Sequence, residues 1–256
     1  MFFQLLDTEW LKLKHSKIWF IVLASPVLAA IIGFFPVFKI GTNEWLTLCT
    51  QMILAHSALF LPLLTGVLAA LICSNEHAYG GWKQLLALPV KRIQVYVAKY
   101  VIVMFMLLWT QIFFIISVWF VGTVKGFSSP FPWNGVIMSA LMGWVSCFPL
   151  AALQFWLATY FRSFAGPSTV NVMLTLPAII IANSKFMGPL YPWAHPMLSM
   201  TQAFSAAIGG NAGFLENEPT FYVTLIVSFI LFFFGGALYF HKKIVMQTME
   251  DCYAKK

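Results

Sequence analysis

The sequence predicts an all-α, polytopic membrane protein with six transmembrane helices, an N-terminal interfacial helix and a short cytoplasmic helix between spans 2 and 3. Three observations carry this. Hydrophobic residues make up 61% of the 256 positions and charged residues 9%, against about 45–50% and about 25% in a soluble domain. With a mean hydropathy of +0.84, the surplus apolar surface must face lipid, which admits only helices or closed barrels because every backbone polar group needs an internal partner. The apolar stretches are continuous rather than alternating, and that selects helices.

The chain opens with residues 1–17, where Phe3, Leu6, Trp10 and Leu13 recur at intervals of three and four while Asp7, Lys12 and Lys14 are polar. That spacing predicts an amphipathic helix lying along the membrane. The apolar run behind it is too long for a signal-peptide core and has no clear cleavage site, so it is expected to be retained. A ruler of about 20 apolar residues places spans at 18–38, 52–73, 96–121, 134–161, 168–183 and 221–240. The fifth is the shortest and carries Pro177, while Pro149 is expected to kink the fourth. Residues 18–240 form the six-span domain, with an external loop at 185–220 that contains GPLYPWAHP and GGNAG, and a basic tail at 241–256. Tyr191 and Trp193 fit the aromatic belt at the interface.

Six spans put both termini on one side, and the lysines and arginines segregate accordingly. Twelve fall on the terminal side: Lys12, Lys14, Lys17, Lys83, Lys91, Arg92, Lys99, Arg162, Lys242, Lys243, Lys255 and Lys256. Lys39, Lys125 and Lys185 fall on the other. The positive-inside rule then predicts a cell-membrane protein with both termini cytoplasmic. The formal charge of +7 reads as membrane orientation, with no nucleic-acid partner expected.

Several chemistries are missing from the sequence. HExxH and GxSxG are absent, as is any Gly-Lys dipeptide, which excludes a standard P-loop and with it ATP hydrolysis by that route. No metal or cofactor site is expected in the chain. Cys49, Cys73, Cys147 and Cys252 lack CxxC spacing and read as packing residues. No Asp, Glu, Lys or Arg falls in the middle of a predicted span, so coupling to protons or sodium through a buried carboxylate is not expected. His56, Gln111, Gln154, Asn171 and Asn183 are the buried polar candidates and read as interhelical hydrogen-bonding residues. Gly66 and Ala70 form a small-xxx-small pair that would let another helix approach closely.

The loop at 74–95 combines Glu76, Gly80 and Gly81, the apolar set Trp82, Leu85 and Leu86, and then Pro89, Lys91 and Arg92. Its i, i+3, i+4 spacing describes a short amphipathic helix that Pro89 should end. An interfacial helix resting on headgroups would show the same pattern. The residues Glu76, Gly81, Trp82, Leu85, Leu86, Leu88, Pro89, Val90, Arg92 and Lys99 resemble the cytoplasmic loop of ABC-2 type transporter permeases. The basic start at Glu9, Lys12 and Lys14 and the basic end at 241–243 extend the resemblance. Within the family, FRSFAGPS at 161–168 and YPWAHP at 191–196 look most like permease subunits of lantibiotic and bacteriocin immunity exporters.

The resemblance implies that Glu76, Gly81, Trp82, Leu85, Leu86, Leu88, Pro89 and Arg92 form a coupling helix that docks on a separate ATPase dimer. ATP would be bound by that partner. It further implies a second six-span permease chain, identical or related, and a hydrophobic or amphipathic substrate, an antimicrobial peptide being the first choice. A drug, lipid or ion is the alternative cargo. An intramembrane enzyme acting on lipid-linked substrates and a membrane scaffold are the readings from other classes, with the missing motifs arguing against the enzyme.

Overall fold

A computed structural model of the chain describes residues 2–14, 16–35, 43–78, 92–161, 163–209 and 218–253; the side chains of residues 3, 75–78, 218 and 243–253 are not among those described. Every element in these residues is helical. In order they are α1 (Phe2–Lys14), α2 (Ile18–Phe34), α3 (Glu44–Ala55), a π turn (His56–Phe60), α4 (Leu61–Ala78), α5 (Arg92–Val124), α6 (Trp133–Tyr160), α7 (Ala165–Thr175), α8 (Ala178–Ala182), α9 (His195–Ala207) and α10 (Glu218–Tyr253).

Among the described residues, four helical stretches are long and apolar enough to cross a membrane, namely Glu44–Ser74, Arg92–Val124, Trp133–Tyr160 and Pro219–Lys242. A fifth is reached only if α1 and α2, bent by 71°, count as one broken span. Two of the six expected spans are therefore not among these long helices. The first expected span is a helix of 17 residues, about 26 Å at 1.5 Å per residue, short of the roughly 30 Å hydrocarbon core. The fifth is not a single helix at all: α7 has 11 residues and α8 five, with the break at Leu176 and Pro177. Pro177 cannot donate the backbone bond that would carry the helix through, so it caps α8 instead.

Local chemistry accounts for the helix ends. Asn43 accepts from the backbone N–H groups of Trp45 (3.0 Å) and Leu46 (3.4 Å), an N-cap that starts α3 eight residues before the expected span. α2 ends where Gln51 Nε2 donates to the carbonyls of Ile32 (2.6 Å) and Phe35 (2.7 Å) and Lys125 Nζ donates to that of Gly33. These supply partners for orphan carbonyls, with a cation at the negative end of the helix. Partial burial holds the Lys125 ammonium below the usual lysine range. Inside α2, Pro26 leaves the Val22 carbonyl without its helical donor, and the Thr110 hydroxyl stands 3.5 Å from it. α6 runs as one helix through Pro149.

The region expected as an external loop contains α9, buried at every residue from His195 to Thr201. It packs on α6, where Ser139 Oγ donates to the Met200 carbonyl (3.0 Å) and Ser199 Oγ donates to Ser146 Oγ (2.8 Å). Trp193 is buried too, and its indole N–H donates to Asn171 Oδ1 at 2.9 Å. It is therefore a core residue rather than part of an aromatic belt. α10 packs on α6 and α5 along one side only, leaving Val223, Ile226, Ile230, Phe234 and Leu238 exposed for lipid or another chain.

Candidate functional site

The loop singled out in the sequence connects the end of α4 to the start of α5. Glu76 lies in the last turn of α4 with its side chain outside the described residues, and Arg92 opens α5 half-buried. Gly81, Trp82, Leu85, Leu86, Leu88, Pro89 and Val90 fall outside the described residues. What the structure defines is the base of that loop, and α1 is part of it.

α1 packs against α5. The face it presents is centred on Leu5, Glu9 and Leu13, all buried, with Leu6 and Trp10 half-buried at its flank; the side chain of Phe3 is not described. A carboxylate thus sits in the middle of the apolar stripe, at i+4 from one leucine and i−4 from the other. Its Oε2 accepts from Lys99 Nζ at 2.7 Å, in a pair whose side chains are 1% (Lys99) and 5% (Glu9) exposed. Its Oε1 accepts from the half-exposed Lys12 at 2.9 Å. Such burial is tolerable because each charge is met at hydrogen-bond distance. Removing one partner of a buried pair costs about 3–5 kcal/mol, whereas replacing both by apolar groups of similar volume is often neutral.

Aromatic edges complete the joint. Trp10 meets Phe105 of α5 at 5.4 Å and Trp19 of α2 at 5.8 Å, both edge-to-face. Lys99 was legible as one residue of the family-like pattern, and Glu9 as part of a basic start. Their pairing was not, because 90 positions separate them. The usable signal was an acid on the Leu5–Leu13 stripe and a lysine inside an apolar run.

Deeper in the bundle the polar candidates meet one another. His56, in the π turn, is wholly buried, stacks on Phe114 at 4.1 Å and joins α2 to α5. Gln111 Oε1 can only accept, so the 3.3 Å contact makes His56 Nε2 the donor, and Nδ1 then accepts from Ser25 Oγ at 2.8 Å. The wide turn closes with the Leu61 N–H on the His56 carbonyl, one residue before Pro62. In a regular helix the Pro62 ring would press on the Ala58 carbonyl, and the π turn relieves this while turning His56 inward. Cys49, Cys73 and Cys147 are buried free thiols, as packing residues should be.

A second junction gathers on Asn171 of α7. Its Oδ1 accepts from Gln154 Nε2 (2.7 Å) and Trp193 Nε1, while its Nδ2 donates to the carbonyls of Pro62 (3.2 Å) and Leu63 (3.0 Å). Gly66 makes this approach possible, since a Cβ there would fall on the Asn171 carboxamide. Asn183, the remaining polar candidate, is exposed and bonds within its own segment, to the Ile179 carbonyl at 2.9 Å.

Long apolar helices, amide and hydroxyl hydrogen bonds between them and a buried ion pair joining α1 to α5 define a multi-pass membrane protein. The chain matches the family described as ABC-2 family transporter protein over residues 5–178, 174 of its 256 residues, and it belongs to that family. Membership makes it the membrane subunit type of an ABC transporter and implies association with an ABC ATPase subunit. The match runs from α1 to the first residue of α8, so α9 and α10 lie beyond it. No curated protein matches the chain.

Proposed function

We propose that this chain is the permease subunit of an ATP-driven exporter that expels an amphipathic compound, an antimicrobial peptide of the lantibiotic or bacteriocin type, conferring immunity to it. The observation that carries the reading is the loop between α4 and α5, where Glu76, Gly81, Trp82, Leu85, Leu86, Leu88, Pro89 and Arg92 stand in the order of an ABC-2 coupling helix. The ATPase subunits supply ATP binding and hydrolysis, and dock as a dimer on that loop. A second permease chain, identical or related, completes the pathway. The chain crosses the membrane six times, with α2 and the broken α7–α8 segment as the short crossings, and both termini are cytoplasmic. A span interior carrying amides, hydroxyls and the imidazoles of His56 and His195 suits a cargo moved along an apolar path rather than a strongly hydrated ion.

Trp82, Leu85 and Leu86 form the apolar face that enters the ATPase groove. Truncating an interface anchor costs at least about 2 kcal/mol, roughly thirtyfold in affinity at about 1.4 kcal/mol per factor of ten. Leu85→Glu with Leu86→Glu should therefore abolish co-purification of the ATPase from membranes in which the variant is inserted at wild-type level. Undiminished co-purification together with full protection of cells against the peptide would reduce the loop to an interfacial helix.

A further inference from the structure

We propose that a cleft at the end of the bundle remote from the start of α5 is a capture site for one apolar side chain of the exported peptide, of phenyl or isobutyl size, with Glu44 meeting a cationic residue beside it. The proposal rests on the exporter reading above and deepens it, because it names what the chain recognises in its cargo. The cleft holds about 150 Å³ and lies where the start of α3, the α5–α6 connection and the end of α9 meet. Trp45 and Phe204 are its buried members, Leu46 and Pro132 are half-buried, and Asn43, Pro130 and Ile208 are exposed at its mouth. α5, 33 residues long and so about 50 Å from end to end, runs between Arg92 and this cleft. In the proposed topology the mouth therefore opens outside the cell, where an antimicrobial peptide arrives.

The walls are fixed before any ligand arrives. Trp45 meets Phe127 at 5.1 Å and Phe131 at 4.9 Å, both edge-to-face, and lies against Gly122 of α5, where a Cβ would fall on its ring. Across the cleft, Phe204 and Ile208 close on Gly135 of α6, where a Cβ would stand 3.1 and 3.3 Å from them. The polar atoms of the lining are already spent. The Trp45 indole N–H donates to the Ser129 carbonyl at 2.7 Å, Asn43 Oδ1 accepts from the N–H groups of Trp45 and Leu46, and the prolines bring no N–H. Water is held where it finds two to four polar partners, so an apolar group displaces it from this cleft with a gain in affinity. Size then selects the ligand. A dry cavity of about 150 Å³ takes one benzene, whereas drug-sized ligands occupy about 300–1,000 Å³, so the cleft fits a single side chain and not a whole compound. Glu44, exposed in the first turn of α3 between Asn43 and Trp45, adds a carboxylate, while Lys125 at the same end is turned to the Gly33 carbonyl. An apolar cleft beside a carboxylate complements an apolar residue next to a cationic one, the pattern of an amphipathic peptide.

The test uses the full chain in nanodiscs, without nucleotide, and a synthetic amphipathic lysine–leucine peptide carrying one photo-leucine, a diazirine of leucine size, next to a lysine. After irradiation the cross-linked residues are mapped by mass spectrometry. Adducts should gather on Trp45, Leu46, Phe204 and Ile208 and be competed by the same peptide with plain leucine. Ile208→Trp fills the cleft from its exposed mouth and should lower these adducts about tenfold, the worth of one buried apolar side chain, in protein inserted at wild-type level. Ile230→Trp, on the exposed face of α10, should leave them as they are. Glu44→Gln should lower them for this peptide and not for one with glutamine in place of that lysine; equal losses with both would overturn the part given to Glu44. No adducts at the cleft, adducts spread over α10 and the other exposed apolar faces, or cleft adducts indifferent to Ile208→Trp overturn the capture site. If cells carrying the chain with its ATPase gain no protection from such a peptide while adducts still gather at the cleft, the exporter reading falls and the peptide site stands.

Discussion

Asn171 spends every polar atom of its carboxamide on a different chain segment, and so ties α4, α6 and the turn before α9 to α7. The residue types of the polar interior were legible in the sequence, because a lone amide in an apolar run must find a partner. The partners were not, since Trp193 was assigned to an interface and the Gly66 approach had no named counterpart. The junction yields a double-mutant prediction. Gly66→Ala places a methyl on the Asn171 carboxamide and should destabilise the protein by about 1–3 kcal/mol, the usual cost of overpacking. In an Asn171→Ala background the carboxamide is gone and the Cβ at position 171, 2.9 Å away, is what remains against that methyl, so the same change should cost measurably less. Unfolding of the four purified proteins in one detergent would measure the coupling, and additive losses would mean that the two residues do not share a site.

Helix existence was well legible from hydropathy, whereas helix ends depended on single side chains. The second span was expected from Met52, because the stretch before it is polar; α3 begins at Glu44 since Asn43 caps it and Trp45 anchors it, donating to the Ser129 carbonyl at 2.7 Å. Asn43→Ala should cost about 1 kcal/mol, while Asn43→Asp should cost little because its carboxylate caps as well and favours the helix N-terminus. Equal losses from both, read by thermal unfolding, would show the cap to be idle. Proline effects were legible in kind but not in outcome. Pro177 breaks the fifth expected span, Pro62 is met by a π turn, and Pro149 is carried inside a continuous helix. Which response follows depends on whether neighbours accept the orphaned carbonyl, and that is a property of packing rather than of the local sequence.

Charge segregation makes a prediction about the molecule as a whole. If both termini face the cytoplasm, Lys17→Cys beside α1 should react with an impermeant thiol reagent only after the cells are opened, and Ser128→Cys should react in intact cells. The reverse pattern would invert the topology and remove the loop from reach of a cytoplasmic ATPase. The class of fold was plain from composition, because so apolar a chain has no soluble alternative. The base of the loop was not, because an ion pair across 90 positions leaves no periodic trace. Nor was α9, whose Ser199, Thr201 and Ser205 lower its apolar signal while being buried. That last helix has a consequence for biogenesis. Its 13 residues reach about 20 Å, too short to be recognised and inserted as a crossing in its own right. Its Ser199 hydroxyl and Met200 carbonyl find partners on α6, through Ser146 and Ser139. The segment therefore has no stable place in the bilayer until α6 is already there to receive it, and α9 must assemble onto a scaffold that synthesis has finished first.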